Sequence, residues 1–163
     1  MKIRPSTRND IRGMLALAGK LPDWPQPTAI ELSYEHGFVA MDGRKIIGFI
    51  SCSHEDGIPF ITNLRIDPAM GRQGIGTRLV TAVVKEADKL GANRVRVLVM
   101  GWTRPFNRMF AETRRFYHAL GFNVVKKHPI VVEGNDQWRF YTLEMKLSRT
   151  KKPAVRPRDI AQS

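Results

Sequence analysis

A chain of 163 residues, 42% hydrophobic and 26% charged, has the length and composition of one folded domain with a sizeable core. Met1-Lys2-Ile3-Arg4-Pro5 lacks the apolar run of a signal peptide, and the longest apolar stretch, near 46–52, is too short to cross a bilayer. The single cysteine, Cys52, excludes an internal disulfide and fits a reducing cytoplasm, while the net charge of +12 favours anionic ligands over polycationic ones.

Residues 2–5 read as an opening strand. Asn9 or Asp10 can cap a helix whose apolar positions are Ile11, Met14, Leu15 and Leu17, with Gly19 near its end. Three prolines around Trp24 make 21–27 a loop, after which Thr28 caps a second helix running to about His36. The period then changes from helical to alternating. Segments 38–41 and 45–53 are strands joined by Asp42-Gly43, a hairpin signal, and 58–66 is a strand stopped by Asp67-Pro68. From 73 to 90, Ile75, Leu79, Val80, Val83, Val84, Ala87 and Leu90 form a helical stripe ended by Gly91. Segment 94–100 alternates as a strand. Phe106, Met109, Phe110, Phe116, Tyr117 and Leu120 recur at helical spacing before Gly121. Segments 122–132 and 138–147 form a final hairpin.

The order β-α-α-β-β-β-α-β-α-β-β predicts a single mixed α/β domain over residues 1–147: a mostly antiparallel sheet of about six or seven strands with about four helices. Residues 148–163 read as a basic, flexible tail. Six of the 27 basic residues and one of the 15 acids fall within 146–163, so this end of the chain supplies nearly half of the excess charge. A nucleic-acid-binding module using Lys151, Lys152, Arg156 and Arg158 is the rival reading. The aromatic–basic interleaving of RNA-binding segments does not accompany those residues.

The sharpest local feature is Asp67-Pro68-Ala69-Met70-Gly71-Arg72-Gln73-Gly74-Ile75-Gly76-Thr77, which leaves a strand and opens the long helix. Gly74 and Gly76 permit a tight turn and close backbone approach. The first amides of the helix lack intrahelical acceptors and sit at the positive end of its dipole, so the segment is a phosphate cradle. Nucleotide patterns fit poorly: Gly76 is followed by Thr77-Arg78 rather than Lys-Ser/Thr, and Leu79 stands where a dinucleotide fingerprint needs its third glycine.

Ile66-Asp67-Pro68 and Gly71-Arg72-Gln73-Gly74-Ile75-Gly76 resemble the acetyl-coenzyme A signature of the GNAT N-acetyltransferase family, with one departure. The leading Arg or Gln of the family pattern falls at Gly71, and Arg72 stands one place later. The segment Phe116-Tyr117-His118-Ala119-Leu120-Gly121-Phe122 resembles the family's aromatic–Tyr-x-x-x-Gly-Phe element. The asparagine that the family often places shortly before this tyrosine has its nearest counterpart at Asn107, ten residues upstream. Together the two elements imply an acetyl-CoA-dependent transferase acting on an amine acceptor by direct attack in a ternary complex.

By this resemblance the backbone of Leu64, Arg65 and Ile66 pairs with the pantetheine arm. Gly71, Arg72, Gln73, Gly74, Ile75, Gly76 and Thr77 hold the pyrophosphate, and Tyr117 is the general acid for the departing thiolate. Some relatives carry a basic glutamate on the strand before the loop, where this chain has Thr62 and Asn63; His54, Glu55 and Asp56 cluster in the preceding turn. Trp24, Trp102 and Trp138 are candidate walls for the acceptor. Cys52 reads as a core thiol. His36, His54, His118 and His128 lack zinc-site spacing, so no metal is expected. A homodimer through the terminal strands is compatible with this reading, as is a sensor that binds acetyl-CoA without turnover.

Overall fold

Thr28 and Glu31 show how local chemistry sets the element boundaries. The Glu31 N–H donates to Thr28 Oγ1 at 3.1 Å and the Thr28 N–H to Glu31 Oε2 at 2.7 Å, a reciprocal cap that starts a helix at Ala29. The computed structural model describes residues 1–102 and 108–148. Phe106, Asn107 and the basic residues beyond Ser148 lie outside the described residues, as do the side chains of Trp102, Met109 and Phe110. Within the described residues the elements are β1 (Lys2–Pro5), α1 (Ile11–Ala18), α2 (Ala29–Tyr34), β2 (His36–Asp42), β3 (Lys45–Glu55), β4 (Ile58–Ile66), α3 (Ile75–Lys89), β5 (Arg94–Trp102), α4 (Arg108–Ala119), β6 (Asn123–Lys127), β7 (Val131–Glu133) and β8 (Asp136–Lys146).

The expected order of helices and strands is present, with three refinements. The second helix ends at Tyr34, and His36 already opens β2. The strand expected over 122–132 is divided into β6 and β7, because Pro129 has no N–H to donate to the ladder. Asp10 does not cap α1 from the solvent side. It is buried, accepts both arms of the Arg4 guanidinium at 2.8 Å and the Thr7 N–H at 2.8 Å, and so pins a single 3₁₀ turn beneath β1.

One sheet runs β1-β2-β3-β4-β5-β8-β6, with β7 on β8; every pairing is antiparallel except β4–β5. Its two faces bury separate apolar sets. Met14, Leu17 and Leu32 from α1 and α2 cover Val39 and Phe49 on one side. On the other, Ile75, Leu79, Val80, Val83 and Ala87 of α3 join Tyr117 of α4 over Ile50, Ile61, Val95, Val97 and Leu143. The α3 contribution follows the stripe read from the sequence except at Leu90, which lies beyond the helix end and is exposed.

The parallel junction is where the sheet fails to close. Both strands are nine residues long, yet only Phe60↔Arg96 and Ile61↔Val97 are in register. A β-bulge sits at the point of departure: Cys52 faces Ile61 and Ser51 faces Asn63, leaving Thr62 without a partner. Side chains lock it. Thr62 Oγ1 donates to the Ser51 carbonyl at 3.0 Å, and Asn63 Nδ2 donates to Ser51 Oγ at 3.0 Å. Beyond the bulge, the β5-facing edge of β4 has no strand beside it.

Leu79 is fully buried between α3 and the sheet. Leu79→Ala is expected to cost about 2–5 kcal/mol in chemical denaturation, because the packed surroundings relax only partly around the deleted methyls.

Candidate active site

Where β4 and β5 diverge, a cleft of about 820 Å³ opens, lined by β4 from Phe60 to Ile66, by Met70 to Thr77, by Val97 to Met100, and by Phe116 and Tyr117 of α4. All ten residues assigned from the sequence to the donor meet on this one cleft, together with Tyr117. Trp24 and Pro25 of the α1–α2 connection cover its other side. Trp138, also expected as a wall, stands instead at the end of β8, opposite Trp102 in the backbone register.

The loop into α3 is built by Asp67. Its N–H donates to the Ile47 carbonyl at 2.8 Å, and its buried carboxylate accepts the Ala69 N–H at 3.1 Å, capping a 3₁₀ turn over Pro68–Met70. Lys20 Nζ at 2.7 Å and Lys45 Nζ at 3.3 Å close on the same carboxylate. The Lys20 hydrogen bond, then the Ala69 N–H and Lys45, hold the Asp67 pKa down at about 2 against the opposing effect of burial. Asp67 thus ties β4, α1 and the β2–β3 turn to the loop from behind.

Ahead of α3 the chain takes two left-handed residues, Arg72 at φ 60° and Gly74 at φ 71°. A Cβ at Gly74 would meet open space, so it is the backbone conformation that asks for glycine there. Gly74 O accepts the Arg78 N–H at 3.1 Å, the first helical bond, which leaves the N–H groups of Ile75, Gly76 and Thr77 without intrahelical acceptors. The Ile75 side chain is buried in the core, so its contribution to the cleft is the amide. Gly76 also has a packing use. A Cβ there would lie 3.3 Å from the Phe116 ring and 3.9 Å from Leu64, so its bare backbone lets α4 and β4 close on the helix start. Three free amides, the helix dipole and the exposed Arg72 fit a diphosphate.

Tyr117 is buried at the cleft floor, edge-on to Phe116 and Phe122 at 5.0 and 5.3 Å between centroids. Burial, with a smaller contribution from Cys52, pushes its pKa above the ordinary phenol value, against the pull of Arg65. The phenol therefore stays protonated at neutral pH. Burial likewise pushes the Cys52 thiol up to about 12, which removes it as a nucleophile.

The other titratable groups singled out from the sequence are elsewhere. His54, Glu55 and Asp56 are exposed at the far end of β3, outside the cleft lining. Thr62 and Asn63 are engaged in the bulge. The acid on the cleft wall is Glu112 of α4, which the helical stripe of that segment does not single out. Phe60, Met100 and Phe140 also line it and carry no sequence signal beyond strand alternation. A second hollow of about 780 Å³ beside α1 contains the saturated Arg4–Asp10 pair. Among the described residues no three His, Cys, Asp or Glu come together as a metal site, and no helix is long and apolar enough to cross a membrane.

A model of the acetyltransferase (GNAT) family matches residues 11–122. Comparison with curated proteins gives no match. Among solved structures, the fold is similar to the ribosomal-protein-S18-alanine N-acetyltransferase of Escherichia coli (TM-score 0.70, 18% identity, 93% of this chain and 97% of that one). It is also similar to yncA, a putative acetyltransferase of Salmonella typhimurium solved with its cofactor acetyl-CoA (0.70, 16%, 94% and 98%). The PaiA N-acetyltransferase of Thermoplasma acidophilum in complex with coenzyme A aligns with a TM-score of 0.65 at 17% identity, over 90% of this chain and all of that one.

Because the folded pKa of Asp67 is below its ordinary value, its contribution to stability is full above about pH 4 and is lost as pH falls through about 2. Urea midpoints measured from pH 5 to pH 2 are expected to fall more steeply for the wild type than for Asp67→Asn.

Proposed function

This chain belongs to the GNAT acetyltransferase family, and from that premise we propose that residues 1–147 transfer the acetyl group of acetyl-CoA to a primary amine within a ternary complex. The observation that carries the reading is the meeting, on one cleft, of an unpaired strand edge, a helix N-terminus with three free amides, and a buried protonated phenol. Each corresponds to a need of the reaction.

Acetyl-CoA held there supplies an activated thioester. The amides of Ile75, Gly76 and Thr77 would take the diphosphate, with Arg72 adding charge beside them. The open edge of β4 over Leu64, Arg65 and Ile66 offers main-chain groups to the amides of a pantetheine arm, as a neighbouring strand would. A β4 N–H at this level would stabilise charge growing on the acetyl oxygen. Tyr117 delivers its proton to the departing sulfur. A proton from the amine leaves toward solvent on the Glu112 side of the cleft, and no acyl-enzyme on Cys52 is needed.

Two variants separate binding from chemistry. Gly74→Glu places a carboxylate and a strained φ in the cradle and is expected to remove acetyl-CoA binding measured by calorimetry. Tyr117→Phe is expected to lower kcat by about 10²- to 10⁴-fold while leaving acetyl-CoA affinity within a few-fold. Equal loss of affinity in both variants would contradict the assignment.

A further inference from the structure

Arg65 is the anomaly of the cleft. It is 6% exposed, one residue before the end of β4, and burial lowers its pKa, so its charge is held out of water at a cost. Other buried charges here have partners: Asp10 has Arg4, Asp67 has Lys20 and Lys45, and Glu144 has Arg96 at 2.9 Å. Among the described residues no carboxylate lies within salt-bridge distance of Arg65. Two of its five N–H donors reach main-chain carbonyls, Nη1 to Leu64 at 3.1 Å and Nη2 to Pro25 at 2.8 Å. Nε is buried with no acceptor. The guanidinium lies over the Trp24 ring, 5.4 Å from its centroid.

The sheet register tells which side of the cleft this cation serves. Arg65 pairs with Phe49, and cross-strand partners share a face, so its side chain is on the face covered by α1 and α2. The neighbouring pair, Leu64 with Ile50, faces α3 and the anion cradle. A diphosphate at the α3 N-terminus is therefore on the other face of β4 from Arg65. Arg65 nevertheless lines the same cleft as Tyr117 and is near enough to act on its ionisation.

We propose that Arg65, floored by Trp24 and held by the Pro25 carbonyl, is the recognition site for a carboxylate on the acceptor, so that the amine substrate is a small amino acid bearing both groups. The proposal rests on the acetyltransferase reading and adds the acceptor's chemical class. A planar guanidinium with a fixed fork of donors suits a carboxylate in two-point contact. The carboxylate neutralises the buried charge, and fixing it beside β4 leaves the amino group a few atoms away, toward the Tyr117 side. A polyamine or aminoglycoside would bring further positive charge against this uncompensated cation.

The test uses the full-length protein with acetyl-CoA, the free amino acids of the standard set, their carboxamides and their decarboxylated amines, following thiol release. Calorimetry of the coenzyme A-loaded protein with N-acetyl amino acids and their carboxamides supplies a second readout that needs no turnover. Wild type is expected to prefer the carboxylate member of its best acceptor pair by about 100-fold in kcat/KM, the scale of a buried charge pair losing one partner. In Arg65→Met that ratio is expected to collapse toward one, and Arg65→Lys to restore part of it. A wild-type ratio of one or less, or an Arg65→Met loss equal for carboxylates and carboxamides, would overturn the proposal while leaving the transferase reading intact. Absence of heat with every N-acetyl amino acid would overturn it as well. Failure of the protein to bind acetyl-CoA at all would instead remove the reading beneath it.

Discussion

The structure depends on a pairing that stops. After Ile61, β4 keeps its pairing with β3 but loses β5, and at that point lies one surplus residue, Thr62, whose bulge is locked by Ser51 and Asn63. A strand in the middle of a sheet ordinarily satisfies both edges. Here one edge is left with main-chain groups facing a cleft, at the end of the strand from which the 67–74 loop runs to a helix N-terminus. Sheet and helix thereby present free donors to the same space, and an extended amide-containing chain ending in a diphosphate answers both.

The supports of that arrangement lie behind it. Asp67 collects two lysines and an amide at the turn before α3, Ile75 anchors the helix start in the core, and Gly76 lets Phe116 sit against it. The two faces of β4 then divide the labour. Leu64 belongs with α3 and the anion cradle, Arg65 with the α1–α2 connection. On the proposed reading the donor lies on the α3 face of β4, where Tyr117 packs, and the acceptor reaches Arg65 from the other face. The positive body of the protein agrees with an anionic donor and with the carboxylate-bearing acceptor inferred from Arg65.

Much of this arrangement is legible in the amino-acid sequence alone. Period changes locate the helices and strands, and of the α3 stripe Ile75, Leu79, Val80, Val83 and Ala87 are buried and Val84 half-buried, while Leu90, just past the helix end, is exposed. The glycine loop and the Tyr117 segment are local in sequence, and residues assigned to them do line one cleft. What escapes is tertiary. A bulge at Thr62 is set by hydrogen bonds across strands, and nothing in the alternation of 58–66 marks it. The second use of Gly76, admitting the Phe116 ring from a distant helix, leaves no local trace in the sequence. Glu112 is hidden on a helix recognised by its apolar face. Arg65 counts for its backbone alone in a strand pattern, which carries neither its burial nor its lack, among the described residues, of a carboxylate in salt-bridge distance. His54, Glu55 and Asp56, read from the sequence as a turn cluster before β4, are exposed and lie outside the cleft lining.

Backbone amide shifts recorded by NMR during titration with acetyl-CoA test the central claim most directly. The account predicts that the largest changes fall on residues 62–66 and 72–77, with the hollow beside Arg4, Asp10 and Arg44 left undisturbed. Shifts concentrated at that hollow, or spread evenly with none on the free edge of β4, would contradict it.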